Sequence, residues 1–266
     1  MSTDRRHGLM RAPVGGQAGG MPRPSAPDPC STLVTAPRPA VVREALAGAL
    51  ALVFPTWCAG CDRPDAVLCA DCRATLAPSV TSRALAGALA VHAGLAFSGV
   101  AARALRACKE EGRTALVPAL APALAAAADA ALAPAAGERV IVVPMPASAA
   151  AVRRRGYRVV DLLAARAGLS PQRLLRASAR AADQRGLGAH GREQNVAGTM
   201  CLRPGRERHL EGRAVLLVDD VVTTGATLRE AARALTAAGA HVIGAATVAS
   251  TPRHTGVRGI VTVTRR

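Results

Sequence analysis

Asp219 and Asp220 stand side by side, and after Val221-Val222 the chain runs Thr223-Thr224-Gly225-Ala226-Thr227. Ionised carboxylates only accept hydrogen bonds, so this pair calls for donors: sugar hydroxyls, or the water around a divalent cation. The Thr/Gly stretch has the opposite chemistry. Its three hydroxyls, and backbone N–H groups that Gly225 allows to approach closely, suit a phosphate. Phosphate donors beside hydroxyl-binding acids describe a ribose 5-phosphate. The competing reading is a polar turn joining a buried strand to an N-capped helix.

A second constellation lies far upstream. Cys58-x2-Cys61 and Cys69-x2-Cys72 form two knuckles seven residues apart, each able to present two thiolates to one tetrahedral ion. Four cysteines close the coordination of zinc, so such a metal is structural rather than catalytic. Two disulfides or a redox pair are the alternatives, the first disfavoured in a reducing compartment and the second needing only one pair. Cys30, Cys108 and Cys201 lack partners at metal spacing and read as incidental or buried.

The elements that must position these groups follow from apolar patterning. Val215 to Val218 is a short unbroken apolar run, as expected of a parallel strand covered on both faces, and ligands bind at the carboxyl ends of such strands. Ala226 to Ala238 reads as a helix stopped by Gly239, which delivers the Thr/Gly loop to a helix N-terminus with its positive dipole end. Glu138 to Val143 is a second buried-strand candidate running into Pro144-Met145-Pro146-Ala147. Downstream, Arg153-Arg154-Arg155-Gly156-Tyr157 offers forked donors for a pyrophosphate or, alternatively, a solvated helix start. Leu105 to Gly112 has a helical charge pattern and contains Lys109, the sole lysine of the chain and a flexible point charge suited to a phosphate oxygen. Ala179 to Thr199 is rich in Gly, Arg and Gln and reads as a long loop or hairpin, either an active-site lid or a surface insertion.

Composition narrows the function classes. The 266 residues can hold one sizeable α/β core and a small module. The net charge is +16, carried almost wholly by arginine, which fits a polyanionic ligand or a solvated basic surface. Only four aromatics are present (Phe54, Trp57, Phe97 and Tyr157), too few for a base-stacking single-strand binder, which leaves nucleic-acid backbone contact as the candidate mode. Residues 1–40 are Gly/Pro/Ser/Arg-rich without an apolar core near the start, so a tail rather than a secretory signal is expected. Ala47 to Pro55 reads as an amphipathic helix ended by Pro55. Ala45 to Phe54 is too short to span a bilayer, and Thr114 to Ala136 is interrupted by Pro118, Pro122 and Asp129, so no membrane insertion and a cytoplasmic location are expected. Ser2 follows Met1 where a nucleophilic cysteine would be needed, which argues against glutamine-dependent amidotransfer, and no helix-turn-helix pattern supports a DNA-binding regulator.

Residues 215–227 resemble the phosphoribosyl pyrophosphate (PRPP) motif of type I phosphoribosyltransferases. With Phe54-Pro55, the two Cys pairs, Lys109 with Gly112, Val143-Pro144-Met145-Pro146, Arg155-Gly156-Tyr157, Gln184-x2-Leu187 and Arg192-x2-Asn195-Val196, the chain resembles, from about residue 42 to 250, the ComF family of competence-associated phosphoribosyltransferase-like proteins. Where that family follows its Arg-Gly-aromatic triplet with Asn-Gln, this chain has Arg158-Val159. The resemblance implies a doubly wound, mostly parallel α/β sheet of the type I phosphoribosyltransferase kind with a small zinc module. Implied domains are a disordered tail at 1–40, a helix with the zinc module at 41–78, the transferase-like domain at 79–252 and a basic strand or tail at 253–266. Implied catalytic residues are Asp219, Asp220, Arg155 and Lys109, with Val222, Thr223, Thr224, Gly225, Ala226, Thr227, Pro144 and Met145 holding PRPP. Implied cofactors are structural Zn²⁺ on Cys58, Cys61, Cys69 and Cys72, and Mg²⁺ accompanying PRPP. Candidate partners are PRPP, a competence helicase or translocase docked through the zinc module, nucleic-acid backbone and a second copy of the chain. Two functions follow from the resemblance: phosphoribosyl transfer with release of pyrophosphate, or a non-catalytic adaptor in DNA uptake.

Overall fold

The computed structural model describes residues 56–178, 198–207 and 210–252. The expected tail at 1–40, the helix at 47–55, the interior of the 179–199 loop with Gln184, Arg185, Arg192 and Asn195, and the segment 253–266 lie outside the described residues.

A five-stranded sheet organises the fold in the order β1-β2-β7-β6-β3. Its strands are β1 (Thr81–Ala84), β2 (Ala90–Ala96), β3 (Ile141–Pro144), β6 (Ala214–Val222) and β7 (His241–Ser250). All neighbours are parallel except the edge pair β1 and β2, so the sheet is α/β and mostly parallel, with one antiparallel edge. β6 sits between β3 and β7, and its side chains show why the run is unbroken in hydrophobicity. Leu216 and Val218 enter one apolar cluster while Val215 and Leu217 enter another, one on each face.

The first face is covered by α2 (Gly99–Glu110), α3 (Val117–Leu132) and α5 (Val159–Arg166), the second by α6 (Ala226–Thr236). α3 corrects the sequence reading. Pro118 and Pro122 do not interrupt it, because Pro118 lies in the first turn, where no N–H bond is required, and Pro122 forfeits one bond inside a helix held by burial. The stretch Thr114–Ala135, with a mean hydropathy of 1.7, is long and apolar enough to cross a membrane, but it packs against β2 and β7 in the core. Gly94 on β2 makes that packing possible, since a Cβ there would fall 2.0 Å from the Ala123 carbonyl oxygen.

Other boundaries also move. β3 begins at Ile141 rather than Glu138, because Glu138 belongs to the turn that follows Ala133–Ala135. β6 runs to Val222 instead of stopping at Val218, which places the acid pair within the strand. α2 starts six residues before Leu105, and α6 ends at Thr236, with Gly239 at φ +83° in the turn beyond. Arg153-Arg154-Arg155 form the last turn of α4 (Ala149–Arg155), which Ser148 caps at its start and left-handed Gly156 ends. The two ends of the 179–199 loop are paired: β4 (Leu175–Ala177) and β5 (Met200–Leu202) form an antiparallel hairpin.

The cysteine knuckles, with the short α1 (Ala70–Ala74), join the same apolar cluster as α2 and α3.

Candidate functional site

β3 stops pairing with β6 at Pro144–Val218, so β6 projects alone past its neighbour on that side. Asp219 and Asp220 occupy this projection. Each carboxylate accepts the N–H of the next residue, Asp220 N–H to Asp219 Oδ1 at 2.9 Å and Val221 N–H to Asp220 Oδ1 at 2.7 Å. These bonds hold both side chains against the strand and leave Asp219 Oδ2 and Asp220 Oδ2 turned away from it. Asp220 is buried and shares the face of Leu216 and Val218. On that face α2 ends, and Lys109 Nζ reaches Asp220 Oδ2 at 2.8 Å. Burial and the neighbouring charge of Asp220 push the Asp219 carboxyl well above the usual range, with Lys109 acting in the opposite sense.

Lys109 and Arg155 come from different helices and are brought together by Tyr157. Its hydroxyl donates to the Cys108 carbonyl at 2.7 Å, tying the segment after α4 to the end of α2. Cys108 itself is fully buried, and burial with the nearby Asp220 charge raises its thiol to about 11, which disfavours the reactive thiolate form. Arg155 Nε is buried without a hydrogen-bond partner among the described residues, an orphan donor beside the acid pair.

The Thr/Gly loop leads into α6 through Gly225, which stands at φ +76° with no side-chain cap. A left-handed residue here favours glycine. Thr224 Oγ1 accepts the Ala226 N–H at 3.4 Å. The loop is braced from β1, which the sequence reading had not linked to the site. Arg83 Nη2 donates to the Thr223 carbonyl at 2.5 Å, and a Cβ on Gly225 would lie 2.1 Å from Leu85 Cδ1. Nothing in the spacing of Arg83, 140 residues upstream of Thr223, could have signalled this bond.

These elements enclose a cavity of about 310 Å³ lined by Lys109, Met145, Arg155, Asp219, Asp220 and Thr227, together with Pro146 to Ser148 and Arg158. All four residues expected to be catalytic line it, joined by two of the eight expected PRPP contacts. Pro144 lines a neighbouring cavity, and Val222 lines a third beside Arg83 and Thr251. Thr223, Thr224 and Gly225 form the loop and Ala226 opens α6; none of the four lines the cavity wall.

The sulfur atoms of Cys58, Cys61, Cys69 and Cys72 all lie within 4.8 Å of one another, and all four thiols are free. Tetrahedral zinc with sulfur at about 2.3 Å requires sulfurs about 3.8 Å apart, and Cys61 Sγ to Cys69 Sγ is 3.7 Å. Burial and the neighbouring cysteines push the Cys72 thiol up. Burial alone would do the same to Cys58, but N–H groups of Cys69 and Gly60, at 3.3 and 3.4 Å from its sulfur, together with Cys61, outweigh it and bring the Cys58 thiol to about 6. A thiolate so prepared fits a metal ligand. Gly60 is obligatory, because a Cβ there would meet Cys72 Sγ at 2.5 Å and Val100 Cγ1 at 2.9 Å. Arg113 donates to the carbonyls of Trp57 and Val67, and Arg103 pairs with Asp62. The knuckles are thus fastened to α2, the helix that carries Lys109.

Residues 146–263 match the family model for the phosphoribosyl transferase domain. The match includes Arg155, the acid pair and the Thr/Gly loop, and begins after Lys109 and the cysteines. Among solved structures, the allosteric regulatory enzyme of purine biosynthesis aligns over 47% of this chain and 24% of its own, at 21% identity and a TM-score of 0.28, so this chain spans about a quarter of that protein's length. No curated protein matches.

Proposed function

We propose that the phosphoribosyltransferase domain of this chain binds PRPP in the Asp219/Asp220 cavity and transfers its 5-phosphoribosyl group to a nucleophile. The observation that carries the reading is the convergence of Lys109, Arg155, Asp219, Asp220 and Thr227 on one cavity of about 310 Å³ beside the loop that opens α6.

Asp219 Oδ2, and Asp220 Oδ2 alongside its Lys109 contact, accept the ribose hydroxyls and fix the ring. Backbone N–H groups at the start of α6, with Thr227 Oγ, take the 5-phosphate. Arg155 Nε, buried and unpartnered among the described residues, and Lys109 face the charge that grows on the departing pyrophosphate. The bond from the anomeric carbon to pyrophosphate breaks with its electron pair leaving on pyrophosphate. A bond to the nucleophile forms, and the nucleophile's proton passes to solvent. The acceleration expected is mostly positioning and charge stabilisation. The carboxylates of Asp219 and Asp220 are hard oxygen donors of the kind that suits Mg²⁺; such an ion would be held by them together with substrate phosphates and would neutralise the charge developing on the leaving group. Cys58, Cys61, Cys69 and Cys72 would hold a structural zinc.

A screen for pyrophosphate release from PRPP and Mg²⁺ over candidate acceptors tests the reading. It predicts acceptor-dependent release that Arg155→Gln lowers strongly. Release by no acceptor, with PRPP binding intact, favours a PRPP-binding protein without transfer.

The second reading is an adaptor that docks a partner through the cysteine module, as the resemblance to competence-associated proteins implies. It is favoured by Trp57, which stands beside Cys58 and is 52% exposed. Loss of partner capture in Trp57→Ser with PRPP binding unchanged would support it.

A further inference from the structure

A second cavity, of about 610 Å³, adjoins the acid-pair cavity and shares Met145 to Ser148 and Arg158 with it. Four arginines line it: Arg158 at the start of α5, Arg173 before β4, Arg176 on β4 and Arg203 after β5. Asp161 is the one carboxylate in the lining among the described residues, and it is already bonded to Arg173 Nε at 2.6 Å. Arg203 Nε is buried and has no hydrogen-bond partner among the described residues. A buried guanidinium donor without an acceptor is costly to keep, and four arginines against one carboxylate leave the lining, among the described residues, with an excess of positive charge. Guanidinium forks match carboxylate and phosphate oxygens two at a time. Between the arginines the wall is apolar, with Pro146, Leu175 and Ala177, and the volume falls in the range of small-molecule sites.

We infer that this chamber receives the second substrate, and that this substrate is a small anion with an apolar body and a carboxylate or phosphate group. The inference rests on the phosphoribosyl-transfer reading for what the chamber adjoins; the charge class of its occupant rests on the arginines alone. An anionic nucleophile and PRPP repel each other, and the arginines lining the second cavity, with Arg158 shared by both, offset that repulsion. Lys109 and Arg155 remain on the acid-pair side, available to the pyrophosphate.

The test uses the full-length, zinc-loaded chain with three probes of similar size, benzoate, phenyl phosphate and neutral benzamide, and compares wild type with the Arg176→Gln, Arg203→Gln double variant by calorimetry. PRPP with Mg²⁺ is titrated in parallel. Charged hydrogen bonds of this kind correspond to roughly tenfold or more in affinity, so one or both anions should bind at least about tenfold more tightly than benzamide. The better of the two anions identifies the group as carboxylate or phosphate. In the double variant the preference should collapse to within about threefold while PRPP affinity stays within about threefold. Benzamide binding as well as both anions overturns the inference, as does a preference that survives the double variant. So does a large loss of PRPP or pyrophosphate affinity in that variant, which would assign these arginines to the leaving group. If wild type binds no PRPP but keeps the anion preference, the phosphoribosyl-transfer reading fails and the second-substrate role falls with it, while the cavity stands as an anion site.

Discussion

Lys109 Nζ lies 2.8 Å from Asp220 Oδ2, joining the end of α2 to the end of β6 across the floor of the cavity. The Asp220 side chain is 8% exposed and that of Lys109 32%, so losing the pair strands a buried carboxylate beside an apolar cluster, whereas the ammonium is partly solvated. Lys109→Met should therefore destabilise the chain by about 1–3 kcal/mol, below the range for fully buried pairs because Lys109 is partly solvated. It should also weaken PRPP binding. Urea denaturation at neutral pH measures the first effect and calorimetry the second.

Asp219 should make stability fall as pH rises. Its folded carboxyl titrates above its unfolded value, because burial and Asp220 disfavour the charge. At pH below the unfolded carboxylate range, about 4, both states hold the proton and the group is neutral to stability. Above it the unfolded chain releases a proton that folded Asp219 retains, so stability declines until the folded carboxyl also ionises. Asp219→Asn should raise the neutral-pH Tm by roughly 2–4 °C if the gain is on the order of 1 kcal/mol, with little gain near pH 4. Thermal melts across that range check the sign, and PRPP binding should fall in the same variant.

Gly225→Ala combines a left-handed backbone with a Cβ 2.1 Å from Leu85 Cδ1, so the loop must move. PRPP affinity should drop at least tenfold while the sheet survives, since the strain falls on the loop and on Leu85, which lies just past the edge strand β1. Arg83→Met removes the bond to the Thr223 carbonyl and should reproduce the effect more weakly. Circular dichroism with calorimetry separates loop displacement from unfolding.

Chelation of the cysteine site should be felt at Lys109. Val100 and Arg103 of α2 contact the knuckles, and Arg113, just past α2, bonds to Trp57 and Val67. A chelator, or Gly60→Ala, should lower both thermal stability and PRPP affinity, and metal analysis should return one zinc per chain before treatment. Equal PRPP affinity with and without zinc would show that the module does not position α2.

Much of the site was legible because its chemistry is contiguous in sequence. The run from Val215 to Thr227 places apolar residues, acids and loop in one strand-to-helix passage, and two tight Cys pairs report their own proximity. The end of β6 was misjudged because aspartate disfavours strands; here each carboxylate is held by the N–H of the following residue. β2 gives no clear strand signal because it is alanine-rich, and in β7 Gly244-Ala245-Ala246 splits Val242-Ile243 from Thr247-Val248, so neither half makes a run of its own. Burial overrode the prolines of α3. The arginine chamber was illegible because Arg158, Arg173, Arg176 and Arg203 are scattered along the chain and meet only when the β4–β5 hairpin folds beside α5.

The most direct test of the account is calorimetric titration of PRPP with Mg²⁺ into the zinc-loaded chain, beside the Asp219→Asn, Asp220→Asn double variant. The account predicts saturable one-site binding by the wild type that the double variant loses while remaining folded. No binding by the wild type, or equal binding by the variant, would contradict it.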